Sequence, residues 1–407
     1  MNFVDYCKWR GDLSFRQDPF NEVDNMLFAQ IAYCELDDLI KGKEKMSLKQ
    51  LSDLFFEKHS EEELSNATSF SKMSPFLMRD MANTKRFESC MVYNYADRLN
   101  PDSTKQFAAM MFDLPDESTV IAFRGTDDTL VVWKEDLMLS YGDISSQYDA
   151  LDYVNNNCTM FNKYRIVGHS KGGYLALYSA IHAKTSVKRR ILEIYSNDGP
   201  GLREGISDED RQFLDNRYKL IVPEKDGVGM IYELADYKKI CKVDVFNIIS
   251  AHSMFTWQVQ GNKVVLADKY KYESDLSRAV IKDILKETSR EERLIFVDEL
   301  FKHLAQENIN TLADFGNRGI GIIYSTLKKL MDEDNESRIF AGKMMKILSR
   351  NIGSDLQQTI SEKNRLIREK VSDLSNTAGS RIKEILPRRK AEQANIDEPV
   401  NTKDEEN

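Results

Sequence analysis

Tyr164-Arg165-Ile166-Val167-Gly168-His169-Ser170-Lys171-Gly172-Gly173-Tyr174-Leu175-Ala176-Leu177 is the stretch on which the reading of the whole chain turns. A short β-branched run leads into a glycine-flanked serine, and Gly172, Gly173 and Ala176 then open a segment of helical character. Small side chains there let a helix press closely on a sheet, so the stretch reads as strand, sharp turn and helix. A serine hydroxyl is a weak nucleophile. It becomes useful when it stands proud of the backbone, beside a base and at a helix N-terminus whose amides face a developing oxyanion.

Gly168-His169-Ser170-Lys171-Gly172 is thus the Gly-x-Ser-x-Gly nucleophile-elbow pattern of α/β hydrolases, found in the strand-to-helix context it requires. The flanking chain fits such a sheet. Cys90–Tyr95 and Gln106–Leu114 read as two strands joined by turn chemistry at Asn100–Ser103. Thr119–Phe123 is an apolar run suited to a central strand buried on both faces. Helices are expected over Thr129–Leu139 and Gln147–Phe161. Beyond the elbow come a strand at Ile191–Tyr195, a helix near Asp208–Asn216 and a strand at Tyr218–Val222. Strands alternating with helices call for a mostly parallel sheet with antiparallel edge strands, an α/β class fold.

Residues 1–84 read as a helical N-terminal part packed on the core. Asp18-Pro19 is placed to start one helix, Ser47 to cap a second and Ser74-Pro75 to start a third. Residues 85–271 form the α/β-hydrolase core. From 272 to 390 the strand signal disappears and a helical C-terminal appendage is expected, with a Ser289/Glu292 capping box and a break at Gly316, Gly319 and Gly321. Residues 391–407 read as a disordered acidic tail. Between 361 and 390 there are nine Lys/Arg against four Asp/Glu, and in 391–407 one against six. A basic amphipathic helix of this kind can make peripheral contact with an anionic membrane; a solvated helix is the plainer alternative.

With 407 residues the chain can bury a sizeable core. Its net charge of −9 argues against general nucleic-acid binding. Cys7, Cys34, Cys90, Cys158 and Cys241 are odd in number and widely spaced, which suits reduced thiols and a cytoplasmic location. No basic segment followed by an apolar one opens the chain, and no uncharged apolar run reaches 18 residues. No histidine or cysteine pair has metal-ligand spacing, and no phosphate-cradling glycine loop follows a strand, so neither metal nor cofactor is expected.

A hydrolytic serine needs a base and an acid that orients it. Of five histidines, His59 and His303 fall in helical parts, His169 sits inside the elbow and His182 on its helix. His252, in a loop-like setting after the core strands, is left as the base. For the acid, Asp226 fits best, following the Tyr218–Val222 strand after Pro223; Asp198, one strand earlier, is the rival. The oxyanion hole needs the amide after the nucleophile, that of Lys171, and a second from an earlier loop, for which Phe123-Arg124-Gly125-Thr126 has the right form, with Thr126 as donor.

Ala122-Phe123-Arg124-Gly125-Thr126 and Gly168-His169-Ser170-Lys171-Gly172-Gly173, with Trp133 and Asp136 seven and ten residues after Thr126, resemble the class 3 lipase group of α/β hydrolases. The opening Tyr6–Phe15 and Asp18-Pro19-Phe20-Asn21 resemble a bacterial, Mbeg-like branch of that group, in which Lys follows the nucleophile. The resemblance spans roughly residues 1–270. It implies a lipase-like sheet, a Ser170–Asp226–His252 triad and a Thr126/Lys171 hole; Leu130–Trp133 with Leu137, Met138 and Leu139 lies where that group keeps lid-like or acyl-contacting helices, and lining an apolar pocket and packing in the core are equal alternatives for it. The expected activity is that of a serine ester hydrolase, a carboxylesterase or lipase acting on a small-molecule or lipid ester through an acyl-enzyme. A binding or regulatory module on the same fold, or the same triad turned on thioesters or amides, are the alternatives.

Overall fold

The computed structural model describes residues 1–66, 72–100, 105–126, 134, 142–245, 247–307, 309, 312–332 and 336–351. The expected helix over Thr129–Leu139, apart from Lys134, and the basic and acidic segments after residue 351 lie outside them. The chain divides into Met1–Ile347, treated below, and Leu348–Asn407, of which 348–351 are described, as helix.

The sheet has eight strands in sequence order. A two-residue edge strand β1 (Met46–Ser47) pairs with β2 (Met91–Asn100), which continues antiparallel through β3 (Lys105–Asp113) to β4 (Ser118–Phe123). From β4 onward every pairing is parallel: β5 (Lys163–His169), β6 (Ile191–Asn197), β7 (Tyr218–Pro223) and β8 (Lys238–Cys241). The meander and the three central parallel strands lie where the alternation of apolar runs and turns puts them. The four-residue β8 and the β9–β10 hairpin (Val259–Gln260, Lys263–Val264) carry too little apolar signal to be read from sequence.

All six residues of β4 are buried, as its unbroken apolar run requires. Val120 and Ala122 point to one face and Ile121 and Phe123 to the other. The second face is covered by α6 (Ser145–Asn157) and α7 (Lys171–His182). The first is covered by the N-terminal helices α1 (Phe3–Arg10), α2 (Glu22–Ile31), α3 (Leu48–Lys58) and α5 (Ser74–Ala82), with the exposed α4 (Glu61–Asn66) between the last two. A sheet whose consecutive parallel strands all advance in one direction places its crossover helices on one face. The N-terminal layer supplies the cover the other face needs, burying Met26, Leu27 and Phe28 against Phe112 and Val167.

The cap of α2 is Asn21, three residues beyond the expected Asp18-Pro19 start. Asn21 accepts from the Val23 and Asp24 amides while Asp24 accepts from the Asn21 amide, a closed capping box. Asp18 is engaged elsewhere, its carboxylate by Arg10 and its carbonyl by Arg86. Ser47 caps α3, and Ser74-Pro75 opens α5, as expected. After the shorter helices α8 (Thr185–Lys188), α9 (Asp208–Leu214) and α10 (Ile248–Ala251) and the β9–β10 hairpin, the chain is helical through α11 (Tyr272–Glu287), α12 (Arg290–Gln306, capped by Ser289 with Glu292) and α13 (Leu312–Met331). No break occurs at Gly316, Gly319 or Gly321. Glycine costs a helix about 1 kcal/mol per site but keeps its amide donor, so it weakens a helix without ending it.

The N-terminal layer is pinned by one fully buried ion pair. Arg86 Nε donates to Asp24 Oδ1 at 2.8 Å and its Nη2 to Oδ2, and neither side chain is exposed. The guanidinium also donates to the carbonyls of Leu13 and Asp18 and lies 4.1 Å from the centre of the Phe15 ring. Removing one partner leaves a charge in the core with no water to solvate it. Arg86→Met is therefore expected to lower the unfolding free energy by about 3–5 kcal/mol in urea titration; a loss under about 1 kcal/mol would show that the pair is not holding the layer.

Candidate active site

The parallel strands β4 to β7 end level with one another. Phe123 stands opposite Gly168, His169 opposite Asn197, and Asn197 opposite Ile221. The segments that leave these strands therefore emerge along one edge of the sheet, the carboxyl edge, where open α/β sheets collect their ligand-binding and reacting groups.

Ser170 leaves β5 at φ 56° and ψ −129° and heads α7. That conformation is close to one reserved for glycine, and the surroundings hold it there. The Ser170 amide donates to the Asn197 carbonyl at 2.9 Å, and the Ser170 carbonyl accepts from Gly173. A Cβ on Gly168 would stand 2.1 Å from the Gly172 carbonyl oxygen, and one on Gly172 would stand 2.3 Å from that of Phe123. Both glycines of the motif are needed for this close approach of turn, helix and neighbouring strand.

One strand over, Asp198 follows β6 at φ 51°. Its backbone amide donates to Ile221 at 2.7 Å and its carboxylate Oδ1 accepts from the Gly229 amide at 2.9 Å. Its Oδ2 lies 2.6 Å from His252 Nδ1, and the carboxylate is wholly buried. His252 closes α10 as its C-cap, over the buried Trp257, whose indole donates to the Ala251 carbonyl. With Nδ1 donating to Asp198, Nε2 is the basic nitrogen that remains.

The expected Asp226 carboxylate is thus not the one bonded to the imidazole: Asp198 takes that place. The physical reason is where the carboxylate oxygens are held. Asp198, in a left-handed conformation that aspartate tolerates better than most residues, has Oδ1 fixed by the Gly229 amide, and its Oδ2 meets His252 Nδ1. Asp226, in the turn after β7, is also fully buried, and its Oδ1 accepts from the Val228 amide at 2.9 Å.

The loop after β4 reaches the serine. A Cβ on Gly125 would lie 3.2 Å from Ser170 Cβ, so that loop passes directly against the elbow. Thr126 follows it with a buried hydroxyl that has no hydrogen-bond partner. The next residue, 127, is outside the described ones, as are Trp133, Asp136 and all of the Leu130–Leu139 segment except Lys134. Arg124 is buried and anchors the loop root by donating to Asp97 at 2.6 Å. Lys171, the first residue of α7, is itself buried.

Three supporting residues were not singled out from sequence. His169 Nε2 lies 2.8 Å from the His252 carbonyl and its Nδ1 2.8 Å from the Tyr33 hydroxyl, and the two imidazole rings are 4.6 Å apart. A carbonyl can only accept, so Nε2 carries the His169 proton and Nδ1 accepts from Tyr33. Burial holds this imidazole well below the ordinary histidine range. Asn25 on α2 exchanges two side-chain hydrogen bonds of 3.0 Å with Asn197, directly before Asp198. The N-terminal layer therefore reaches the site itself through Asn25 and Tyr33, besides covering the sheet. In sequence these two look like ordinary members of a helical segment, and only the pairing of α2 with the sheet gives them a role.

Burial sets the charge state of the pair at the centre. It pushes His252 down to about 4 and Asp198 up to about 6. Near neutrality His252 is accordingly a free base and Asp198 an ionised acceptor. The strained turn at Ser170 and a neutral imidazole oriented by a buried carboxylate thus lie at the same edge of the sheet, groups of the kind that can serve nucleophilic attack on a carbonyl.

The fold is α/β, with a sheet of eight strands flanked by helices on both faces. The chain belongs to the Mbeg1-like family, whose profile matches residues 81–302. Among solved structures the M37 lipase is similar to it, at a TM-score of 0.34 and 18% identity over 52% of this chain and 70% of that one. A comparison with curated proteins finds no match. Neither the described helices nor any run within them is long and apolar enough to cross a membrane.

The strain at the elbow is open to measurement. Glycine adopts this conformation freely and alanine does not. Ser170→Gly is expected to be more stable than Ser170→Ala by about 1 kcal/mol in denaturant unfolding. Equal stability of the two variants would contradict a strained turn.

Proposed function

We propose that the protein is a serine hydrolase that cleaves carboxylic esters through an acyl-enzyme. Ser170 is the nucleophile, His252 the general base and Asp198 the acid that orients it. Attack of Ser170 Oγ on the ester carbonyl passes its proton to His252 Nε2. Asp198 accepts from Nδ1 throughout and stabilises the imidazolium so formed. The imidazolium then protonates the departing alkoxide, leaving an acyl group on Ser170. Water, deprotonated by the same imidazole, releases the acid product. The Lys171 amide at the head of α7 and a donor on Thr126 receive the negative charge of the tetrahedral oxygen. The substrate is a small-molecule or lipid ester.

The observation that carries this reading is the His252 Nδ1 to Asp198 Oδ2 contact of 2.6 Å at the strand edge that presents Ser170 at positive φ. Backbone strain and a buried imidazole–carboxylate pair are each costly, and together at one edge they have a catalytic purpose. Cytoplasmic residence is part of the proposal and is supported by five free cysteines, four of them buried.

The test is hydrolysis of p-nitrophenyl esters over a range of acyl lengths. Ser170→Ala is expected to lower kcat/KM by at least about 10³-fold on every ester the wild type cleaves. Unchanged cleavage by the alanine variant, or no cleavage of any ester by the wild type, would overturn the proposal. The pH profile adds a second test. Because burial lowers His252 and raises Asp198 only to about 6, the working protonation state is complete at neutral pH. The expected kcat/KM is level from pH 8 to 7 and falls on the acid side of pH 6. An acid limb centred above pH 7 would contradict a buried, neutral base.

A further inference from the structure

Asp226 is a buried titratable group for which the proposed mechanism has no use. It lies at the carboxyl edge in the turn after β7, with no exposed surface. Its Oδ1 accepts from Val228, while its Oδ2 is buried and has no donor facing it. Its neighbour is the Asp198 carboxylate: the successive amides of Val228 and Gly229 donate to Asp226 Oδ1 and Asp198 Oδ1, which sets the two carboxyls side by side within hydrogen-bonding reach of each other. Two ionised carboxylates have acceptors only, and in contact they repel in a place water does not reach. One shared proton removes both problems, turning a repulsive contact into a charge-assisted hydrogen bond.

We propose that Asp226 is a protonated carboxylic acid whose hydroxyl donates to the Asp198 carboxylate, making Asp226 a positioning residue that holds Asp198 against His252. The proton belongs on Asp226 and not on Asp198 for a reason of partners. Asp198 receives the Gly229 amide on Oδ1 and the imidazole N–H on Oδ2, both of which favour its ionised form. Asp226 receives one amide. The other titratable groups in electrostatic reach of the two carboxyls are Glu233, which acts on Asp226, and His252, Tyr270 and Cys241, which feel the carboxyls. Glu233 is held as an anion by Arg278 and Lys238, and it adds to the reasons for Asp226 to keep its proton. Burial and the neighbouring Asp198 charge push the Asp226 carboxyl well above its ordinary range. With the proton in place, Asp198 accepts three donors, and a carboxylate has lone pairs for all of them. The inference rests on the serine-hydrolase reading for its catalytic consequence, while the protonation itself stands independently of it.

Two variants separate the possibilities. Asp226→Asn keeps an N–H donor toward Asp198, and Asp226→Val removes it at similar volume. With a protonated Asp226, both variants lose activity, the valine variant about 10–100-fold more in kcat/KM than the asparagine variant. The direction of the pH shift is the sharper readout. Removing a donor from Asp198 makes its carboxylate more basic, so Asp226→Val moves the acid limb up by about one pH unit, and Asp226→Asn leaves it in place. Had Asp226 been an anion, both substitutions would take away a negative charge and move the limb down. A downward shift in both variants therefore overturns the inference. So does a greater loss of kcat/KM in Asp226→Asn than in Asp198→Asn, which would make Asp226 the orienting acid while leaving the hydrolase reading intact. Infrared difference spectra of wild type against Asp226→Asn at pH 7 read the protonated carboxyl without any turnover. Its C=O band is expected in the wild type and lost in the variant. Absence of the band from the wild type overturns the inference even if the ester assays fail.

Discussion

Everything at the carboxyl edge depends on the backbone of Ser170 at φ 56°, ψ −129°. No serine takes that conformation for its own sake, and a cost of about 1–3 kcal/mol must be met by the surroundings. Here they are a parallel strand on each side, a helix packed within contact distance of β4, and a hydrogen bond from the Ser170 amide to Asn197. The glycines at 168 and 172 permit that packing, since any side chain there would collide with backbone. The turn is therefore a product of the whole sheet. The N-terminal layer belongs to the same device, because Asn25 fixes the residue before Asp198, and Tyr33 fixes the histidine before Ser170.

The second constraint is electrostatic. Asp198, Asp226, His169 and His252 are all buried within one neighbourhood. A low-dielectric region does not tolerate several unpaired charges, so protons are distributed to leave as few as possible. A neutral His169 bonded to a carbonyl and a hydroxyl needs no counter-charge. A single negative charge on Asp198, matched by directed N–H donors, is what the site retains. In the proposed mechanism that charge stabilises the imidazolium formed on His252.

Much of this was legible in the chain. The Gly168–Gly172 motif gives the elbow because its glycine spacing and small helix-opening residues answer a steric demand. The apolar run at Thr119–Phe123 gives a strand buried on both faces, and Ser47 and Ser289 give helix caps. The elimination that leaves His252 among five histidines picks the imidazole that meets the carboxylate. The choice between Asp198 and Asp226 is not legible in sequence, since both follow strands in the expected order, and the decision lies in a single side-chain contact, Asp198 Oδ2 with His252 Nδ1, between residues 54 positions apart. The short β8, the late cap at Asn21 and the unbroken α13 escaped for a similar reason. Local pattern is weak there and tertiary contacts decide. Tyr33 and Asn25 escaped because their partners lie more than a hundred residues away.

The dependence of the proposed Ser170 nucleophile on His252 is tested most directly by covalent labelling with a fluorophosphonate, followed by mass spectrometry of the proteolysed adduct. A single phosphonylated site at Ser170 is expected in the wild type, with labelling slowed by at least about 10³-fold in His252→Ala. Failure of folded wild-type protein to label, or labelling of Ser170 at the same rate without the imidazole, would contradict the proposal.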